Sequence, residues 1–217
     1  MKRKKAKVRA PELAPGRGQY DRTLSPEERF DQQRARLVEA AAQVFADVGF
    51  ARATVEVIVQ RAGMSRRTFY EHFKDVKDAL HHVHASLAGQ AFSLLESALK
   101  EIEDPLERIR TGAMAFFGAI AGNGALARVI FREVRAAGPE FETRWELETM
   151  RYVVLMLTAI NEAHAKGLVS RPADELTVFA LLAGAEAVAI RAVNRGEEAK
   201  LLEAAPQIAE LYIRAFK

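Results

Sequence analysis

Arg66, Arg67, Thr68 and Tyr70 form the densest group of side chains with an evident chemical use in this 217-residue chain. They lie in the run Ser65-Arg66-Arg67-Thr68-Phe69-Tyr70-Glu71-His72-Phe73. Guanidinium groups donate to phosphate oxygens or pair bidentately with guanine edges, and Thr and Tyr hydroxyls suit phosphate oxygens. Phe69 and Phe73 are four apart, share one face of a helix and must be buried. Their burial turns Arg66, Arg67, Tyr70 and the Thr68 hydroxyl outward.

The elements that must carry these groups read from the same stretch. Thr54 is a good N-cap, with Glu56 in the first turn beyond it, where a negative charge suits the helix dipole. Val55, Ile58 and Val59 give that helix an apolar face, and Ala62-Gly63 ends it, because glycine takes the left-handed conformation freely. Ser65 caps a second helix almost at once. Two short helices joined by a glycine turn form the helix-turn-helix plan, whose second helix presents its first residues to major-groove base edges. On spacing alone, a surface helical corner with solvated arginines fits as well.

The segment from about Leu37 to Leu80 resembles the DNA-binding domain of the TetR family of bacterial transcriptional regulators. The resemblance rests on a first helix ending Val44-Phe45-Ala46-Asp47-Val48-Gly49-Phe50, then Thr54-Val55, Ala62-Gly63-Met64-Ser65 and Phe69-Tyr70-Glu71-His72-Phe73. It implies DNA contacts from Thr54, Ser65, Arg66, Arg67, Thr68, Tyr70, His72, Lys74 and Lys77. Two positions depart from the family pattern. Val59 stands where a small Ala is usual, and Val76 stands where a phosphate-contacting Lys is frequent, with Lys74 and Lys77 on either side.

Charge is unevenly divided. The net charge is +3, yet residues 1–77 hold 17 Lys and Arg against 10 Asp and Glu, a balance of +7, while the remainder holds 15 against 19, a balance of −4. A cationic head on a mildly acidic body suits a chain that meets phosphate at one end. The absence of cysteine excludes disulfides and thiolate metal sites. The basic N-terminus lacks the apolar run of a signal peptide. Glu186 and Arg191 interrupt the best candidate membrane span, so no membrane association and a cytoplasmic location are expected.

In chain order, residues 1–24 read as a disordered basic arm, either lying on DNA or acting as a plain solubilising tail. Ser25-Pro26-Glu27-Glu28 opens a first helix that Gly49 closes, with Leu37, Ala41, Val44, Phe45 and Val48 on its core face. It completes a three-helix DNA-binding unit over residues 25–80. Asp75 caps a fourth helix running towards Ile102, with Leu80, Val83, Leu87, Leu94, Leu95, Ala98 and Ile102 on its apolar side. Asp104-Pro105 opens a fifth helix, broken at Gly122-Asn123-Gly124. A sixth segment covers residues 125–137, a seventh helix ends before Gly167, an eighth runs from Asp174 to about Gly196, and Pro206 opens or kinks a last one. His81, His82 and His84 diverge around their helix, so neither a metal site nor a cofactor is expected. No strand pattern appears, and the fold class is all-α.

Residues 81–217 are far more helix than DNA reading needs. The resemblance implies that this helical bundle forms a homodimer and encloses an effector pocket. Ala180, Gly184 and Ala187 form a small-residue stripe on the eighth helix that admits close approach of another helix. The expected interface comprises Phe179, Ala180, Ala183, Gly184, Ala187 and Val188 with Ile208, Leu211, Tyr212 and Phe216. The expected pocket gathers Met114, Phe116, Phe117, Ile120, Trp145, Tyr152 and Met156, with Glu148, Asn161 and His164 as polar anchors. Its apolar character suits a small hydrophobic or aromatic effector.

These readings combine as a dimeric, ligand-responsive regulator, a repressor released from a palindromic double-stranded operator when effector binds. Two alternatives compete with it. One is an architectural protein that binds DNA without sequence preference through its basic arm. The other is an all-α enzyme, for which no phosphate loop, H-E-x-x-H or paired Glu-x-x-His motif speaks.

Overall fold

The computed structural model describes residues 25–135, 138 and 140–217. The basic arm, residues 1–24, and the end of the expected sixth segment, Ala136 and Ala137, lie outside the described residues. The described residues are helical and include no strand. Helix α1 is Pro26–Val48, and a 3-10 turn, Phe50–Arg52, leads to α2 (Val55–Ala62) and α3 (Arg66–His72). Then come α4 (Val76–Leu99), α5 (Pro105–Gly122), α6 (Gly124–Arg128) and a π-helical turn, Val129–Glu133. The body is completed by α7 (Glu140–Ala165), α8 (Glu175–Arg195) and α9 (Leu201–Arg214), with a 3-10 turn, Glu198–Lys200, before α9.

Local chemistry sets most of these boundaries. At α1 the Ser25 hydroxyl accepts from the Glu28 amide (3.1 Å) and the Glu28 carboxylate accepts from the Ser25 amide (2.7 Å), which closes a capping box. Thr54, Asp75, Asp104 and Asp174 cap α2, α4, α5 and α8 through their side chains. Gly63 ends α2 at φ 64°, ψ 37°, in the left-handed region that glycine enters without strain.

The helices enclose two apolar cores. The first gathers Leu37, Val44 and Phe45 of α1, Ile58 of α2, Phe69 of α3, and Leu80 and Val83 of α4. Val129, Val134 and Phe141 join it from further along the chain. The second core belongs to α5, α7, α8 and α9, with Phe117, Ile160, Ala189 and Ile213 almost wholly buried. The first turns of α4 lie in the first core, through Ala79, Leu80 and Val83.

Two expectations are corrected, and an alternative left open at Pro206 is decided. The sixth segment is not one helix to residue 137. It is one short turn of α-helix followed by the π-helical turn, in which the Val134 amide reaches back to the Val129 carbonyl (3.3 Å). The wider turn buries both valines in the head core while Ile130 and Phe131 face the body. Of the two readings of Pro206 the second places it correctly: helix α9 begins at Leu201, and the exposed ring of Pro206 sits inside the helix, which gives up one backbone hydrogen bond there. Helix α4 stops at Leu99, and Leu94, expected on its apolar side, is 72% exposed.

By length and composition α8 could span a bilayer, contrary to the sequence expectation. Val178, Ala185, Ala189 and Val193 instead bury one of its faces in the body core.

Two glycines test the backbone account in opposite directions. Gly63→Ala is expected to lower stability by about 1–2 kcal/mol, because a Cβ disfavours the left-handed conformation. Gly89→Ala, mid-helix in α4 with nothing within 4 Å of the added Cβ, is expected to raise it by about 0.5–1 kcal/mol. Urea midpoints for the two variants check both signs.

Candidate functional site

Helix α3 is held by its own cap and by its phenylalanines. The Ser65 hydroxyl accepts from the Thr68 amide (3.0 Å) and lies 2.9 Å from the Thr68 hydroxyl. Phe69 is fully buried and Phe73 is 2% exposed, their ring centroids 5.3 Å apart. The Arg36 guanidinium donates to the Ala62 carbonyl (2.9 Å), and Arg61 pairs with Asp47 (2.9 Å), so α1 grips both the end and the flank of α2.

The outward face follows. Arg67 has a 90% exposed side chain, Arg66 a 60% exposed one, and Tyr70 is half-exposed, edge-on to Phe69 at 5.5 Å. Neither arginine is alone. Arg66 forms an ion pair with Glu56 of α2, and Arg67 donates through Nε to Glu71 (3.1 Å), four residues on. A hydrogen bond with Tyr70 and the charge of Glu56 hold the Arg66 guanidinium above its usual range. Glu56 is lowered by its own backbone amide and by Arg66. Exposed ion pairs of this kind are weak, and a phosphate can replace the carboxylate as the acceptor. Thr54 and Lys74 are exposed beside this face, and Lys77 is half-buried in the first turn of α4. The Lys74 amide is tied to Asp78 (3.0 Å).

His72 departs from expectation. Its ring packs on Phe30 of α1 at 4.1 Å between centroids, and both ring nitrogens are buried without a hydrogen-bond partner. It serves the contact between α1 and α3, not the outward face. Its position in the last turn of α3 rotates it away from Arg67 and towards α1.

The body holds a cavity of about 1020 Å³, walled by α4, α5, α7 and α8 and open to the surface. Of the expected residues, Phe116, Phe117, Ile120, Trp145, Glu148, Tyr152 and Met156 line it. Met114 does not. It is 42% exposed, on the side of α5 where Arg110 meets Glu210 and Gly118 faces Leu202 of α9. Asn161 is also elsewhere, accepting from the Ala173 amide (3.0 Å) ahead of α8, and His164 lies 3.2 Å from the Val169 carbonyl. The lining is largely apolar. Burial pushes the Tyr152 hydroxyl up to about 12, so it stays protonated.

The cavity also holds a group that the sequence reading missed. Glu186 of α8, only 12% exposed, accepts from Arg135 (2.8 Å) and from the Trp145 indole N–H (2.6 Å). Burial raises its carboxyl above the usual range, and the bonds from Arg135 and Trp145 oppose that rise. A lone acid in an Ala-rich apolar helix was the available signal. The three histidines of α4 take other roles. His81 and His84 are buried, His82 sits 2.9 Å from the Asp78 carbonyl, and no metal-holding cluster occurs among the described residues.

On the far side of α8, Ala180, Gly184, Ala187 and Val188 are exposed and Ala183 is half-buried. Leu211 of α9 is exposed and Ile208 half-buried, while Leu176 (77% exposed) extends the apolar face of α8. Tyr212 and Phe216, expected there, are buried at 4% and 1%; Tyr212 faces the cavity. Phe179 is half-buried against Trp145, 6.0 Å between centroids.

The sequence profile of bacterial regulatory proteins of the TetR family matches residues 37–82, the stretch from the middle of α1 into α4. By this match residues 37–82 are a TetR-family segment. The chain's relatives include the transcriptional activator FasR of Mycolicibacterium smegmatis, 29% identical over 55% of this chain and 54% of that protein. The fatty acid metabolism regulator of Bacillus subtilis is 25% identical over 64% of this chain and 71% of its own length. The matched stretch therefore spans only about half of FasR. Two solved structures share the fold at 21% identity. FadR from Bacillus halodurans aligns with a TM-score of 0.73 over 83% of this chain and 94% of its own. FadR from Bacillus subtilis, solved with stearoyl-CoA, aligns at 0.71 over 84% and 99%. These relatives are regulators and not enzymes.

His72 is expected to give the head a pH dependence of stability. Burial lowers its pKa from 6.5, so between the lowered folded value and the ordinary one the unfolded chain binds more protons. Stability is then full above about pH 6.5 and falls as the pH drops towards the depressed value. Urea denaturation across that window is expected to show the slope in the native protein and a smaller one in His72→Phe.

Proposed function

We propose that this protein is a member of the TetR family, a homodimeric, ligand-responsive transcriptional regulator acting in the cytoplasm on a palindromic operator. We assign it as a repressor that effector binding releases from DNA. The observation that carries the reading is the outward face of α3, with Arg66, Arg67, Thr68 and Tyr70 set on the buried Phe69 and Phe73. Thr54, Ser65, Lys74 and Lys77 supply phosphate contacts around it; His72 is left out of the set. Two copies of α3 about one helical turn of DNA apart would read the two half-sites.

The exposed apolar surface of α8 and α9 supports the dimer. Its small residues permit close helix approach, and an uncovered patch of this kind on one protomer marks an interface. The apolar cavity supports a hydrophobic effector. It runs beside α7 from Phe141 to Ala159 and beside α4 from His84 to Leu99, about 22–27 Å at ~1.5 Å per residue. That is longer than the ~15 Å that one acyl chain fills in half of a ~30 Å bilayer core. A long saturated acyl chain fits this shape better than a compact aromatic molecule, and the stearoyl-CoA held by the B. subtilis FadR is such a ligand. We therefore favour a long-chain fatty acid or its CoA thioester. Residues on both sides of the π-helical turn, together with α4, would carry occupancy of the cavity to the head.

Mobility-shift titration with DNA from upstream of the protein's own gene tests the DNA reading. Arg67→Ala is expected to relax discrimination by about 1–3 kcal/mol at one base position in each half-site. Deleting residues 1–20 is expected to weaken all sequences alike and flatten the salt dependence. If deletion alone abolished binding to every sequence equally, the architectural reading would replace this one.

The dimer has its own test. Gly184→Arg places a charged side chain in the small-residue stripe at a helical position where Arg is the better helix former. Light scattering is expected to find folded monomers, with operator affinity reduced at least tenfold.

A further inference from the structure

The polar end of the cavity suggests how the ligand is selected. Helices α4, α5 and α7 run side by side along it, α5 antiparallel to the other two. One end lies at Leu99, Ile109 and Ala159, and the other at His84, Phe141 and Trp145. At the second end Trp145 and Glu186 face the cavity. Behind them Arg135, 46% exposed, holds the other carboxylate oxygen from the solvent side. Arg135, Glu186 and Trp145 are thus joined in one hydrogen-bonded row at that end, and Phe179 meets the Trp145 ring at 6.0 Å.

We propose that the Arg135–Glu186–Trp145 clamp is a chain-length gauge, closing the inner end of the channel and setting the longest alkyl chain that binds without breaking a buried hydrogen bond. The proposal rests on the reading of the cavity as a site for an alkyl-chain effector with an anionic head. Each methylene laid along the apolar walls strengthens binding about fourfold. A chain that reaches Trp145 gains nothing from a further methylene. To advance it must push the indole off Glu186, which leaves a carboxylate in an apolar wall short of a partner. The gauge therefore acts through Trp145 and Glu186, and Arg135 is a positioning residue that keeps the carboxylate in place.

Trp145 is the only tryptophan in the chain, so its emission reports directly on that end of the channel. The experiment uses the full-length protein and two saturated series, from octanoyl to eicosanoyl, one of free fatty acids and one of CoA thioesters. Calorimetry measures binding and tryptophan emission measures arrival at the clamp. Expected is an affinity that climbs about fourfold per methylene and levels off near palmitoyl to stearoyl. Emission is expected to stay constant for the short chains and to change only for chains at the limit. The series that binds more tightly identifies the head group.

Trp145→Ala is expected to move the limit to longer chains. Trp145→Phe keeps most of the bulk, removes only the N–H donor, and is expected to move the limit by less; it serves also if the alanine variant does not fold. Affinity that climbs unchanged through eicosanoyl in the native protein would overturn the gauge. So would emission that responds equally to octanoyl, or variants whose length profiles match the native one. Faster association of every chain length in the variants, with the limit unmoved, would make the clamp an entrance and also overturn it. If neither series binds by calorimetry, the alkyl-effector reading itself fails and the gauge falls with it.

Discussion

Burial of Phe69 is the contact on which the rest of the molecule depends. An α-helix of seven residues is too short to hold its shape in water on propensity alone. The Phe69 ring, with Phe73 beside it, fastens α3 to the head core and fixes its rotation about its own axis. That rotation turns Arg66, Arg67 and Tyr70 to solvent together. It also buries the nitrogens of His72 against Phe30, and so denies that residue a place on the outward face. One apolar anchor thus decides which polar side chains are available to DNA and which are not.

The head is not sealed off from the body. Val129 and Val134 lie in the head core, while Ile130 and Phe131, between them in sequence, pack on the body side. Glu133, in the same turn, accepts a hydrogen bond from the Phe50 amide (2.9 Å) at the junction between α1 and α2. Its carboxylate also lies about where a Cβ on Gly49 would point, at 3.4 Å. A π-helical turn is a one-residue excess in an otherwise helical run, and it has a neighbouring α-helical arrangement at little distance. A short segment whose side chains are divided between both cores is a contiguous physical link through which one core can bias the other. The π-helical turn thus joins α4 and Phe141 of α7 among the contacts between head and body.

What was legible in the sequence was chiefly local. Ser25, Thr54, Ser65, Asp75, Asp104 and Asp174 each cap a helix as their type and context suggest, because a cap depends on side chains within three residues of itself. The apolar face of α1 and the pairing of Phe69 with Phe73 follow from the same short-range periodicity. What failed depends on which neighbour a face meets. Tyr212 has the spacing of an interface residue, yet it is buried and lines the cavity. Met114 has the apolar character of a pocket residue but looks towards α9. Glu186 appeared only as a charge that interrupts an apolar stretch. Nothing within four residues of it reveals that its partners are Arg135 and Trp145, 51 and 41 residues away.

Helix α8 joins the two tasks of the body at the scale of a single turn. Val178, Ala185 and Ala189 face inward, Ala180, Gly184 and Ala187 face outward, and Glu186 is next in sequence to one of the outward group. A packed helix moves as a rigid element, because interiors are too dense to absorb a shift locally. A ligand that displaces Trp145 from Glu186 therefore cannot act on the cavity wall alone. It alters the same helix whose other face supplies the small-residue surface, and it alters Arg135, which follows the π-helical turn by two residues. Placed there, the buried carboxylate stands between cavity, subunit contact and head. An alkane wall would fill the space as well, but only a directional, satisfied charge makes arrival of a ligand at that point energetically distinct from its arrival anywhere else along the channel.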